Sequence, residues 1–326
     1  MKIDKLSVIL IALITVSGVA VAQTSKQSAP PAPSAPSAPL QLNSVTAPPK
    51  IQFPPTDPKN FTAASPTSAQ VNAFLKNLWG YDPNRVWQVQ SVETTQAPGI
   101  SRVMVLVAEQ GVSHEPAATV FFVTPDGHHA IAGSDVIAFG ADPFADVRQK
   151  LETQASGPSR GSSSKNLMLV EFADLECPHC KEAAPTMDHL ATDFPNARIV
   201  FENFPLTTVH PAAEKAAEYG VCVAQEKGNA AFFQYVQAVF DNQGGLTGNA
   251  DQTMKDAATK AGANAATVAA CADTPAAKIA VENSVKLGQD IGVDQTPLLF
   301  VNGRAIPVAG VPYNTLKQIV TYAANK

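Results

Sequence analysis

The chain is 326 residues long, enough for two ordinary domains plus tails, and 45% of it is hydrophobic, enough for buried cores. Its formal charge of −5 shows no basic excess, which argues against nucleic acid as the main partner. Many of the 26 prolines lie before residue 60, so they mark a segment and not a fold.

Residues 1–22 read as a secretory signal peptide. Lys2 and Lys5 supply a positive start, residues 6–22 are mostly apolar, and Ala20-Val21-Ala22 is a small-x-small cleavage site before Gln23. The alternative is an uncleaved N-terminal membrane anchor, for which the apolar stretch is short. Either way the rest of the chain is exported, to the periplasm or its equivalent, where disulfides persist. Residues 23–60 are rich in Pro, Ala and Ser and have little apolar surface to bury, so they are expected to form a disordered, stiffened spacer.

Residues 61–153 suggest a small α+β domain. Ser68 can cap a helix in which Val71, Phe74, Leu75 and Leu78 fall at helical spacing. Strand-like runs follow at residues 86–92, 102–108 and 119–124. Pro125-Asp126-Gly127 is a turn, residues 129–137 read as one more extended run, and a helix over 143–151 closes the unit. This part contains no cysteine. His128 and His129 follow the turn as an exposed pair, and with no third ligand nearby they do not suggest a metal site. Residues 154–165, rich in Ser and Gly, read as a linker.

The pattern then changes. Residues 167–172 look like a buried strand, 177–193 a helix, and 198–203 a second strand. Residues of about 206–291 carry mostly helical, Ala-rich patterns. Residues 298–301 and 305–308 are strands about the Asn302-Gly303 hairpin turn, and 313–323 is a last helix. Residues 166–326 thus read as β-α-β, a helical block, then β-β-α.

Cys177 and Cys180 stand at the start of the first of these helices, directly after a strand. Two cysteines at this spacing can hold half a zinc site or cycle between dithiol and disulfide. Zinc needs two more ligands of a kind that Cys222 and Cys271 do not offer. At a helix start, free N–H groups and the dipole favour a thiolate at Cys177. Pro178 fits the first turn because its missing N–H has no partner there anyway. His179 favours the thiolate when charged or donating. Cys177 is therefore the expected exposed attacking thiol and Cys180 the covered resolving one. A static disulfide and zinc are the alternatives. Cys222 and Cys271, in the helical block, are expected to form a structural disulfide, the alternative being two buried free thiols.

The segment from Glu171 through Cys177-Pro178-His179-Cys180 resembles the active-site segment of the DsbA family of bacterial thiol–disulfide oxidoreductases. So do Pro185 inside the helix, Asn203-Phe204-Pro205-Leu206 with His210-Pro211-Ala212-Ala213, and Thr296-Pro297 ahead of Leu298. The resemblance covers roughly half the chain. It implies an α/β thioredoxin fold with an inserted helical domain, and a protein disulfide oxidoreductase. It also implies a cis Thr296-Pro297 loop that meets extended protein substrates, and a buried Glu171 that shuttles protons for Cys180. No organic cofactor or metal is implied, since electrons travel through sulfur. The partners implied are exported proteins and a membrane redox protein. Asp174 and Glu176 are expected to be solvated loop acids, and His210 structural. Residues 121–133 are more faintly similar to the cystatin-like dimerisation domain of the DsbC and DsbG isomerases, which would imply a homodimer with chaperone-like substrate binding. Pro-His between the cysteines points to an oxidase, Thr before the cis-proline to an isomerase or reductase, and the direction stays open.

Overall fold

A computed structural model describes residues 51–112 and 114–326. The expected signal segment, and the spacer up to residue 50, lie outside these. The stretch from residue 51 to 60 is not the disordered spacer expected. Pro58–Asn60 forms a 3-10 turn capped by Asp57, and the Pro54 carbonyl accepts from Gln90 Nε2 at 3.3 Å. Phe61 then forms a parallel bridge with Val92. The apolar side chains Ile51, Phe53 and Phe61 give this stretch something to bury, which the Pro-rich average hid.

The first unit is α1 (Ser68–Trp79) on a five-stranded antiparallel sheet. Its strands are β1 (Arg85–Thr94), β2 (Ser101–Glu109), β3 (Ala117–Val123), β4 (His129–Ala132) and β5 (Asp135–Ala138), in that spatial order. Thr67, not Ser68, caps α1, through a capping box with Gln70. Val71, Phe74, Leu75 and Leu78 pack on Val103, Val105, Phe121 and Ile137. The single extended run expected over 129–137 is a hairpin: Ala132 pairs with Asp135 around Gly133, whose φ is 61°.

The second unit is a mixed sheet in the order β10-β9-β7-β8-β6. Its strands are β6 (Ser159–Gly161), β7 (Met168–Ala173), β8 (Arg198–Asn203), β9 (Leu298–Val301) and β10 (Arg304–Pro307). β7 and β8 run parallel, and all six residues of β7 are buried, as in a strand covered on both faces. One face is covered by α3 (Pro178–Asp193) and α10 (Tyr313–Ala324). Between β8 and β9 lies a helical block of α4 (Ala213–Lys227), α5 (Asn229–Asp241), the single turn α6 (Gly245–Gly248), α7 (Ala250–Lys260), α8 (Ala265–Ala272) and α9 (Pro275–Asp290). This is a thioredoxin fold with a helical insertion.

Two expectations need correction. The linker over 154–165 is not free chain. Ser159–Gly161 is an edge strand antiparallel to β8, and Gly157 lies so close to β8 that an added Cβ would sit 1.9 Å from the Phe201 carbonyl oxygen. A three-residue polar edge strand has no periodicity to detect. The helix expected to close the small domain is α2 (Ala145–Gln154), and its Leu151 packs among Val170, Leu287 and Phe300 of the second unit. The two units also meet at buried Arg304, which donates to the Leu78 carbonyl at 3.0 Å and to that of Asn77, with Phe144 4.6 Å below its guanidinium.

Candidate active site

The site begins at the C-terminal end of β7. Backbone bonds from Cys180 N and Lys181 N to the Cys177 carbonyl open α3, with Cys177 at the N-cap and Pro178 at the first helical position. Pro185 lies inside the helix. Cys177 and Cys180 are both free thiols here. Cys177 is only 5% exposed, so the attacking thiol is more covered than the sequence suggested. The cover comes from two loops remote in sequence. Thr296, joined to Pro297 by a cis peptide bond, places its carbonyl oxygen 3.7 Å from Cys177 Sγ. Gln243, after α5, donates from Nε2 to the carbonyls of Leu175 at 3.0 Å and Cys177 at 2.9 Å.

The two thiols are driven apart electrostatically. The Cys180 thiol donates to Cys177, the first of several hydrogen bonds that hold the Cys177 thiol down to about 5 against burial; backbone N–H groups of Cys180 and His179 add to it. The Thr296 hydroxyl is buried beside this pair and makes no hydrogen bond among the described residues. Burial, with the neighbouring Cys177, pushes the Cys180 thiol far up, although Asp174 N–H donates to its sulfur at 3.4 Å. The His179 side chain is solvent-exposed and engages Glu182 at 3.1 Å, which raises its pKa; it influences Cys177 chiefly through its backbone N–H.

Glu171 lies inside β7, 7% exposed, and desolvation pushes its carboxyl up to about 7. Asp174 and Glu176 are not solvated acids. Asp174 is 1% exposed and accepts from Glu176 N at 2.7 Å, Leu206 N at 2.7 Å and His210 Nδ1 at 2.8 Å. Glu176 accepts from Ala212 N at 2.7 Å. These acids tie the cysteine loop to the segment leading into the helical block. The sequence points instead to solvated acids, because loop acids usually are solvated and the partner backbone lies more than thirty positions away. Gln243 gave no sequence signal at all. Cys222 of α4 and Cys271 of α8 are joined, with Cα atoms 5.9 Å apart. His128 and His129 lie on the exposed turn, where His129 Nδ1 meets Asp126 at 2.7 Å.

A strand, a helix headed by a Cys-x-x-Cys pair and a facing cis-proline loop define a thioredoxin-type dithiol site. Residues 153–321 match the thioredoxin family model, more than half of the chain, and the chain belongs to that family. The match begins ahead of β6. Among curated relatives, it is 38% identical over 87 residues to Na(+)/H(+) antiporter NhaA 1 of Salinispora arenicola, covering 27% of this chain and 13% of that protein. It is 29% identical over 147 residues to NhaA 1 of Mycolicibacterium vanbaalenii, covering 44% and 23%. The chain thus spans under a quarter of the length of these relatives. No helix among the described residues is long and apolar enough to cross a membrane. Similar solved structures include the catalytic domain of Proteus mirabilis ScsC, at 22% identity and a TM-score of 0.46, covering 55% of this chain and 99% of that one. Another is alpha-DsbA2 of Wolbachia pipientis, at 21% identity and a TM-score of 0.48, covering 55% and 96%.

Proposed function

We propose that this protein is an exported thiol–disulfide oxidoreductase that exchanges disulfides with protein substrates through Cys177 and Cys180. The observation that carries the reading is the placement of Cys177 at the N-cap of α3, against the cis Thr296-Pro297 loop, with Cys180 buried one turn into the helix. In the oxidising direction a substrate thiolate attacks Cys177 Sγ of the enzyme disulfide. The Cys177–Cys180 bond breaks, a mixed disulfide forms at Cys177, and Cys180 leaves as a thiolate that takes a proton. A second substrate thiolate then attacks the substrate sulfur of the mixed disulfide and expels Cys177 as a thiolate. The substrate is oxidised by two electrons, which now reside in the enzyme dithiol. A low Cys177 pKa makes it a good leaving group in the second step, which favours disulfide donation. Glu171 is the group that exchanges the Cys180 proton, and Thr296 and Pro297 face the substrate peptide. The expected export segment and the Cys222–Cys271 bond support an oxidising compartment, with a membrane redox protein as the source of oxidising equivalents.

The test is oxidation of a reduced protein, and reduction of insulin, by the wild type and Cys177→Ala. Loss of both activities in the variant is expected, and full retention contradicts the reading. A second reading, a dimeric isomerase with chaperone-like binding, draws on the small sheet. There Val120, Phe122 and Val136, on one face by register, are 37%, 36% and 58% exposed. Sedimentation that finds a dimer, together with scrambled-disulfide repair faster than disulfide donation, would favour it.

A further inference from the structure

The turn between α5 and α6 reaches the redox pair from the helical block. Its backbone is held by bonds from Gln243 N to the Phe240 carbonyl at 3.4 Å, Gly245 N to that of Asn242 at 2.9 Å and Leu246 N to that of Gln243 at 3.0 Å. Phe240 and Leu246, each 3% exposed, flank Gln243 and share one apolar cluster with Leu175, Cys177 and Cys180. From this anchored turn Gln243 Nε2 donates to two carbonyls 68 and 66 positions earlier, those of Leu175 at 3.0 Å and Cys177 at 2.9 Å. The Cys177 carbonyl also accepts from Cys180 N at 3.1 Å and Lys181 N at 3.3 Å, the bonds that open α3. Gln243 is therefore a third donor to that oxygen, and its second bond fixes the loop two residues earlier. The two bonds hold both ends of the run 175–177, and with it the extended N-cap backbone of Cys177, whose ψ is 122°. That backbone aims Sγ at the donors that favour the thiolate, the Cys180 thiol and the N–H groups of Cys180 and His179.

We propose that Gln243 is a positioning residue for thiol exchange: its side-chain amide, gripping the carbonyls of Leu175 and Cys177, holds the Cys177 sulfur in reactive alignment from the helical block. The inference rests on the exchange reading above. In the reducing direction the Cys177 thiolate attacks a client disulfide. The client S–S bond breaks, one client sulfur leaves as a thiolate with the electron pair, and a mixed disulfide forms at Cys177. Alignment acts twice on this step, by keeping the N–H and S–H donors on the thiolate and by keeping the sulfur on one line of attack. Without the grip the run 175–177 relaxes and those donors lose their aim. Gln243 carries no charge, so its replacement by a neutral residue acts on Cys177 through geometry alone. The titratable groups around Cys177 are Cys180 and His179 on α3, with Glu182 paired to His179, and Asp174 and Glu176 on its own loop. Asp241, at the end of α5, is engaged by Gln237 at 2.7 Å, and the facing cis loop brings uncharged Thr296 and Pro297. The helical insertion thus sets part of the reactivity of a sulfur that stands on the thioredoxin core.

The experiment measures the rate at which iodoacetamide alkylates the reduced protein as a function of pH, beside the equilibrium constant with glutathione and a urea unfolding curve. Gln243→Met keeps the length and the apolar contact of the side chain and removes the donor. It is expected to move the alkylation midpoint of Cys177 up by about one pH unit, so that the rate below the midpoint falls about tenfold. The glutathione equilibrium should shift about tenfold toward the enzyme disulfide, a reduction potential lower by about 30 mV. Gln243→Asn keeps the amide but shortens its reach by one methylene, and is expected to shift both readings in the same direction; it carries the test if Gln243→Met does not fold. A midpoint and an equilibrium equal to the wild type in the folded variants overturn the proposal. So does a lower urea midpoint with an unmoved titration, which would make Gln243 a structural clasp only. A wild type that is alkylated with a midpoint near 5 yet exchanges with no client disulfide overturns the exchange reading. Normal exchange with unmoved titrations in the variants overturns the role of Gln243 alone.

Discussion

Replacing both Cys222 and Cys271 by alanine removes a cross-link between positions 49 apart. In the chain-entropy treatment, a loop of that length restricts the unfolded chain by about 4 kcal/mol at 25 °C. The folded side adds to this. Cys222 is 2% exposed and packs with Val223, Val268 and Ala272 between α4 and α8, so truncating its sulfur leaves a small void that costs about 1 kcal/mol more. The expected loss is therefore about 4–5 kcal/mol, a large part of the stability of an ordinary domain. Urea unfolding monitored by circular dichroism reads it directly. The midpoint should fall, and the denaturant slope should rise because the unfolded chain is no longer cross-linked. The bond supplies none of the hydrogen bonds that hold the Cys177 thiol down, so the titration of Cys177 should not move. A loss below about 1.5 kcal/mol would show that the helical block does not depend on the cross-link and would refute the loop-entropy reasoning.

Absorbance at 240 nm of the reduced protein should titrate with a midpoint near 5 for Cys177, with no second thiol step across the neutral range because Cys180 stays protonated; a single midpoint near the ordinary thiol value of 9.0 would contradict the described hydrogen bonding. Glu171→Gln should stabilise the protein above pH 7. A carboxyl raised from 4.5 to about 7 makes the native state bind more protons than the unfolded one across that window, so wild-type stability falls as pH rises through it. The variant should lose that slope and gain about 2–3 kcal/mol at pH 8, and an unchanged slope would show that Glu171 is not the buried acid. Glu202→Ala strips acceptors from Ser156 N and Gly157 N, each at 2.8 Å, and from the Ser284 hydroxyl; thermal unfolding should show a loss of about 2 kcal/mol, and none if water replaces the carboxylate.

The fold around the cysteine pair was legible because its signals are local. A buried apolar run, Cys-x-x-Cys with Pro178 at a helix start and the Asn302-Gly303 turn each specify their own geometry within a few residues. Gly303 shows this for the turn: its φ is 87°, a conformation glycine adopts without strain. What the sequence hid is held by distant partners. Asp174 looks like a loop acid until Leu206 and His210 fold over it, and Arg160 looks like linker until β6 joins the sheet. The helix expected over 143–151 is present over 145–154, yet its Leu151 serves the neighbouring unit, which periodicity alone does not reveal. Exposure of Cys177 was misjudged for the same reason, since its cover comes from Thr296 and Gln243.

The central claim, that Cys177 is the sulfur that meets the substrate, is tested most directly by trapping. Cys180→Ser should accumulate a reductant-sensitive mixed disulfide with a reduced or scrambled client protein, and peptide mapping should place the bond at Cys177. No such adduct should form in Cys177→Ser. Failure of Cys180→Ser to trap any client, or adducts mapped to Cys222 or Cys271, would contradict the account.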